Sequence, residues 1–241
     1  MNYAEEGNVK LWTTAQGEGV PILLCSGGPG CCDYLEPVAE LLSGRRIRFD
    51  ARGCGRSAAA AAYSVATSLA DLEIVRRHYG VEKWLVIGHS WGADLALLYA
   101  LAYPQHCLGL ACLSGGLVHN DREWSRAYRA GRDAGLEQPP AFAYPPNPEV
   151  NKQVSASWKA YIQRPGLLRG LAELKLPALF VYGSEDIRPG WAAQQVAALL
   201  GADFRLLRGA DHYLWRTHAQ ELSEELNAFT ATLSDAQPPL D

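Results

Sequence analysis

Three residues of this chain have the types and order needed for nucleophilic catalysis: Ser90, Asp186 and His212. Ser90 is the centre of Gly88-His89-Ser90-Trp91-Gly92, a G-x-S-x-G pentapeptide. A serine hydroxyl is a weak nucleophile until a base takes its proton, and the base needs an acid to orient it. His212, in Gly209-Ala210-Asp211-His212, is the expected base, and Asp186, in Gly183-Ser184-Glu185-Asp186, the expected acid, with Glu185 as its direct rival. The order Ser, Asp, His is the one that accompanies a serine on a strand-to-helix turn. The competing histidines are less suited. His218 falls in an expected helix, and His78 and His106 stand near element ends. His119 lies at the edge of an insertion and could approach the pocket, and His89 reads as packing within the turn itself.

The elements that must position these groups can be read around them. Val86 and Ile87 favour an extended backbone, and the Ala, Leu and Tyr run from Ala93 to Tyr103, broken only by Asp94, favours a helix. Ser90 then sits on the turn between strand and helix, and the Trp91 N–H, at the helix N-terminus, has no partner within the helix. A second N–H for a developing oxyanion is expected from Gly28, in the loop Gly27-Gly28-Pro29-Gly30 that follows a strand ending at Cys25.

Elsewhere, strands are expected over residues 8–14, 20–25, 46–50, 107–113, 178–182 and 204–207. Helices are expected from an Asp33 cap through Leu42, from a Thr67 or Ser68 cap to His78, over 191–200 and over 214–233. The alanine run Ala58–Ala62 fits a helix or a loop, and the tail from Ser234 reads as frayed. Strands alternating with helices predict an α/β protein, a mostly parallel sheet with helices on both faces. Between His119 and about Arg169 the strand pattern stops and aromatic and proline residues gather, an insertion of one to three helices. The expected division is 1–117 and 170–241 as the core, with 118–169 as a cap.

At 241 residues with a net charge of −4, the chain suits one α/β domain and gives no sign of a nucleic-acid surface, its only paired arginines being Arg45-Arg46 and Arg76-Arg77. No apolar run approaches a membrane span, and the polar, acidic N-terminus suggests a cytoplasmic protein. The six cysteines contain no C-x-x-C pair and no accompanying histidine cluster, so no metal and no cofactor are expected. Cys31, Cys32 and Cys54 lie in loops expected to border the cleft, where bulky thiol reagents would inhibit.

Three motifs together resemble the α/β-hydrolase superfamily and within it the proline iminopeptidase family: Gly27-Gly28-Pro29-Gly30 followed by Asp33-Tyr34-Leu35, Asp50-Ala51-Arg52-Gly53-Cys54-Gly55-Arg56-Ser57, and the Ser90 pentapeptide. The resemblance implies an α/β-hydrolase fold with a small helical cap, and acyl-enzyme hydrolysis of a small ester, lactone or amide by Ser90, His212 and Asp186. The partner would be a small molecule or short peptide. The second motif lacks the lysine of a phosphate-binding loop and reads as packing beneath the site. Two departures bear on specificity. Ser26 stands where that family has His, and the short insertion offers only Asp121, Glu123, Asp133, Glu137 and Glu149 to hold a free α-amino group, none in a family motif. Trp124, Tyr128 and Trp158 are candidate substrate-binding residues. Trp91, Phe142, Tyr144, Tyr161 and Trp215 are further candidate walls. A non-catalytic or very slow small-molecule receptor on the same fold is the rival reading.

Overall fold

The computed structural model describes residues 2–119 and 121–235. Its eight strands are β1 (Asn2–Glu6), β2 (Val9–Gln16), β3 (Pro21–Cys25), β4 (Arg45–Phe49), β5 (Trp84–His89), β6 (Cys107–Leu113), β7 (Ala178–Gly183) and β8 (Asp203–Leu207). They form one sheet in the order β1-β2-β4-β3-β5-β6-β7-β8. From β4 to β8 every pairing is parallel, while β1 and β2 add an antiparallel edge. β1 is absent from the sequence reading. Its signal is the two-residue connection Gly7-Asn8, with Gly7 at φ +57°, which closes a tight hairpin. β2 pairs with β4 rather than with β3, the strand that follows it.

The period-2 alternation of the strands splits the core into two layers. Leu23, Ile47, Val86, Leu110, Phe180 and Tyr182 face helices α2 (Val65–His78), α3 (Trp91–Ala102) and α7 (Trp191–Leu200). Ile22, Leu24, Ile87, Ala111, Leu113 and Val181 face α1 (Glu36–Glu40) and α8 (Ala219–Asp235). The central strand β5 is buried along its whole length. None of the described helices is long and apolar enough to cross a membrane.

Several boundaries differ from those expected, each for a local reason. Asp33 does not cap α1, whose N-cap is Leu35. Asp33 is buried and ion-paired to Arg48 at 2.6 Å. α2 begins earlier, because Ser64 and Thr67 form a reciprocal capping box. Ala58–Ala62 is irregular. The last helix starts at Ala219, after a separate 3-10 turn at Leu214–Arg216, so His218 precedes it, and its Nε2–H donates to the Arg208 carbonyl at 3.0 Å. The tail expected from Ser234 lies mostly outside the described residues. The insertion holds α4 (Arg122–Asp133), α5 (Pro148–Tyr161) and α6 (Leu167–Glu173), and α6 runs past residue 169, with Leu171 fully buried in the core.

The turn between β5 and α3 leaves no room for a side chain at either of its glycines. A Cβ at Gly88 would overlap the carbonyl of Gly92, and a Cβ at Gly92 would overlap the carbonyl of Cys25. Backbone cannot yield as a flexible side chain can. Gly92→Ala is therefore expected to cost more than about 3 kcal/mol, roughly 6–12 °C in Tm for a chain of this length. A thermal melt within 2 °C or so of wild type would show that this approach does not constrain the fold.

Candidate active site

Ser90 occupies the turn with φ 56° and ψ −125°, a region that a non-glycine residue rarely adopts. Two contacts hold it there: its N–H donates to the Leu113 carbonyl at 2.9 Å, and its own carbonyl accepts from Ala93 at 2.9 Å. Half-buried Ser90 lines a cavity of about 350 Å3, shared with residues of the inserted helices α4 and α5.

His212 and Asp186 come together as the sequence order predicts. The His212 Nδ1–H donates to Asp186 Oδ2 at 2.6 Å, and both side chains are buried. Glu185 is exposed and instead accepts from the Ser184 hydroxyl at 3.1 Å. Among the described residues no hydrogen bond joins Ser90 Oγ to His212, and such bonds often tighten only when substrate arrives. Burial drives the His212 imidazole well below its usual range. Arg188 pushes in the same direction and Glu137 opposes it. Burial also raises Asp186, and Arg188 opposes that rise.

The two candidate oxyanion donors differ in how they are freed. Trp91 is the first residue of α3, so its N–H has no acceptor within the helix. In the preceding loop the Gly27 N–H is taken by Tyr34 Oη at 2.8 Å, which leaves Gly28, at φ +130°, to face the cavity alongside Ser90 and Trp91.

That Tyr34 bond is the first of a chain which sequence reasoning missed. Tyr34 Oη lies 2.7 Å from His89 Nδ1, and His89 Nε2 lies 2.9 Å from the carbonyl of His212. A carbonyl only accepts, so Nε2 carries the proton and Nδ1 accepts from the tyrosine. Burial holds the His89 ring neutral, as this arrangement requires. His89 thus does more than pack: it ties the loop carrying Gly28 to the loop carrying His212. The position alone, one before Ser90, carries no signal of that bridge.

The inserted segment supplies part of the cavity wall. Trp124, Tyr128 and Trp158 all line it, as does His119, and so does Trp91 from the core. The remaining expected walls lie elsewhere. Phe142 and Trp215 pack on Tyr34, Tyr144 faces Arg56, and Tyr161 faces Arg164. Arg188 was not anticipated. Its guanidinium binds Glu137 of the insertion through both carboxylate oxygens and reaches Asp186 Oδ1 at 3.2 Å, beneath the Tyr128 ring. Glu137, Asp186 and His212 are the described group whose ligand atoms lie close enough to hold a metal ion, but Arg188 already pairs both carboxylates.

The loop at Asp50–Ser57 is packed against the segment that carries Asp33. Asp50 is fully buried and accepts from the backbone of Asp33 at 2.6 Å and from Arg56 Nε at 2.7 Å. Of the three cysteines expected to border the cleft, Cys31 lines a pocket beside Gly27 and Trp91, and the other two do not reach the surface. Cys32 and Cys54 are buried, and Cys31 is half-buried with its thiol pushed up to about 11 by burial and by Cys32. A thiol so protonated reacts slowly.

With this geometry in place, comparison with known proteins is informative. The profile described as alpha/beta hydrolase fold matches residues 20–145, just over half of the 241. The chain belongs to the alpha/beta hydrolase fold family. Among curated relatives, the proline iminopeptidase of Neisseria meningitidis is 39% identical over 102 residues, 39% of this chain and 32% of that one. The chain therefore spans about a third of that relative's length. A proline iminopeptidase of Lactobacillus delbrueckii subsp. bulgaricus is 28% identical over 267 aligned positions, covering 87% of this chain and 90% of the other. Two solved structures share the fold. A proline iminopeptidase of Mycobacterium smegmatis has a TM-score of 0.74 at 17% identity, covering 98% of this chain and 99% of its own. A thermophilic esterase of Thermogutta terrifontis has a TM-score of 0.76 at 19% identity, with 94% of each chain covered.

Two outcomes follow for this hydrolase-fold site. A base with a lowered pKa stays neutral, and hence competent, further into acid. The kcat/KM for an uncharged ester is expected to stay level from about pH 8 down to about pH 6.5, the usual histidine value, and to fall only below it. An acid limb centred above that value would contradict a buried neutral His212. The bridge is tested by His89→Phe, which strands the Tyr34 hydroxyl and the His212 carbonyl. It should lower kcat by about tenfold or more with KM little changed, because a misplaced base is felt in the transition state. Unaltered kcat in a folded His89→Phe protein would leave His89 as packing alone.

Proposed function

We propose that this chain is a serine hydrolase that works through an acyl-enzyme. The observation that carries the reading is Ser90 held at φ 56° on the strand-to-helix turn, opening into the same cavity as Gly28 and Trp91, with the His212–Asp186 pair nearby. In this mechanism Ser90 Oγ attacks a carbonyl carbon while His212 Nε2 takes its proton. Asp186 keeps the proton on Nδ1 and stabilises the imidazolium. The Gly28 and Trp91 N–H groups receive the negative charge that develops on the carbonyl oxygen. His212 returns the proton to the leaving alcohol or amine, and a water activated by the same base then releases the acid. Residues 118–169 act as the cap over this site. No step needs a metal or a cofactor.

For the substrate, small esters or lactones are favoured over peptides with a free N-terminus, although the curated relatives are proline iminopeptidases. An α-amino group needs a carboxylate to hold it, and of the five acids of the insertion two are engaged and three are exposed, while Asp94 of α3, which does line the cavity, shares it with the cations Lys159 and Arg188. Glu137 is paired with Arg188, Asp121 caps α4 through the Trp124 N–H, and Glu123, Asp133 and Glu149 are exposed. The aromatic walls at Trp124, Tyr128 and Trp158 suit an apolar acyl or alkyl group.

Ser90→Ala is expected to lower hydrolysis of a p-nitrophenyl acyl ester by about 10⁴-fold or more. In a parallel screen, wild type should turn over short acyl esters faster than proline p-nitroanilide. Undiminished ester turnover by Ser90→Ala would overturn the mechanism. Faster cleavage of the anilide, dependent on a free N-terminus, would restore an exopeptidase reading.

A further inference from the structure

The triad and the oxyanion donors leave one wall of the cavity without a role. Buried polar side-chain atoms in folded proteins nearly always have hydrogen-bond partners. Three that have none here, Ser114 Oγ, His119 Nε2 and Trp158 Nε1, belong to residues that line the Ser90 cavity. A fourth residue completes the set. Asp94, one turn into α3 from Ser90, also lines the cavity and is only partly buried. Its Oδ1 accepts the N–H groups of Gly116 at 2.9 Å and Leu117 at 2.7 Å, while Oδ2 accepts none among the described residues.

The donor and acceptor inventory narrows what fits. Trp158 Nε1 is a donor only. His119 Nδ1 accepts the Asp121 N–H at 3.1 Å, so the neutral ring carries its proton on Nε2, again a donor. Burial lowers the His119 pKa and keeps that ring neutral. Asp94 Oδ2 supplies an acceptor, and Ser114 serves either way. A plain alkyl chain would satisfy none of these atoms. A free ammonium would satisfy only the acceptors, and would enter a cavity already lined by Arg188 and Lys159. A secondary amide offers one N–H for Asp94 and one carbonyl oxygen, with two lone pairs, for His119 and Trp158. An N–H donated to Oδ2 would also favour the carboxylate form that burial disfavours.

We propose that Asp94, Ser114, His119 and Trp158 form an amide-recognising subsite, and that the substrate is an ester carrying a secondary amide close to the scissile carbonyl. The substrate half of this statement rests on the serine hydrolase reading, whereas the binding half does not.

The test measures binding and turnover separately. Ser90→Ala protein is titrated by calorimetry with methyl hippurate, with methyl 4-oxo-4-phenylbutanoate, in which CH₂ replaces the amide N–H, and with phenylalanine methyl ester, which carries a free ammonium. Methyl hippurate is expected to bind at least tenfold more tightly than either of the others. Adding Asp94→Asn keeps an oxygen for the Gly116 and Leu117 N–H groups but presents NH₂ where Oδ2 stood, so the preference for hippurate over its ketone analogue should fall to about one. Adding His119→Phe should weaken both carbonyl-bearing esters together. Equal binding of hippurate and its ketone analogue, tighter binding of the ammonium ester, or a preference that survives Asp94→Asn in a protein of unchanged Tm would each overturn the subsite. Turnover of p-nitrophenyl butyrate by wild type, set against Ser90→Ala, reports on the hydrolase reading alone. Amide-selective binding without any ester turnover would remove that reading and keep the subsite, and ester turnover without amide selectivity would do the reverse.

Discussion

Helix α3 starts so close to β5 at Gly88 and to the end of β3 at Gly92 that neither glycine has room for a side chain, and much of the rest of the molecule is arranged to hold that approach. β5 is the buried middle of the sheet, flanked by β3 and β6, and α3 lies directly over it. Strain of this kind persists only when the surroundings over-determine it. Here the surroundings do so from three sides. The Leu113 carbonyl fixes the Ser90 N–H, the Cys25 carbonyl closes on Gly92, and Gly115 admits the Ser90 carbonyl where a Cβ would collide with it. The result is a hydroxyl carried clear of the sheet on a backbone that has little freedom to relax.

Around this fixed point the polar groups are paired in an order that separates their tasks. Arg188 binds Glu137 and Asp186, which keeps two buried carboxylates from repelling each other beside His212. His89 joins Tyr34 on one side to the His212 backbone on the other, a neutral bridge in a region where a charge would be costly. The charged network and the neutral bridge meet at the same histidine from opposite sides. Its side chain is held by Asp186 and its main chain by His89.

Much of this was legible in the sequence because it depends on local patterns. The pentapeptide about Ser90, the glycine loop before it, and an Asp and a His each placed just beyond a strand all follow from residue type and order. What was not legible depends on contacts between distant segments. Tyr34, His89 and His212 are bridged across 123 residues at one step, and nothing about a tyrosine in a loop signals that. Arg188 and Glu137 lie 51 residues apart and carry no motif. The helix starts at Ser64 and Leu35 were misplaced because more than one nearby polar residue suits a cap, and tertiary partners decide which is used: Asp33 is drawn away to Arg48. Cys32 and Cys54 misled for a similar reason, since loop position does not report depth.

The two sides of the cavity entrance are fastened by different kinds of bond. Helix α5 is sewn to the core by uncharged groups. Asn147 reaches the Gly53 carbonyl at 2.8 Å, Asn151 the Pro29 carbonyl at 2.8 Å, and Gln153 and Ser157 accept from the backbone of Tyr63 and Val65 at 2.9 and 3.0 Å. The segment from α4 to Glu137 is held instead by the Arg188 ion pair and one indole bond, from Trp124 Nε1 to the Pro189 carbonyl at 2.9 Å. Arg188 and Glu137 are only 12% and 13% exposed, so salt screens their pair little, and the difference in hold between the two sides lies in the number of bonds. One jamb is therefore tied to the core at several points, one of them in the loop that carries Gly28, and the other depends on one largely buried ion pair and one indole bond. Any widening for a larger ligand belongs to the α4 side, where the wall can move without displacing Gly28.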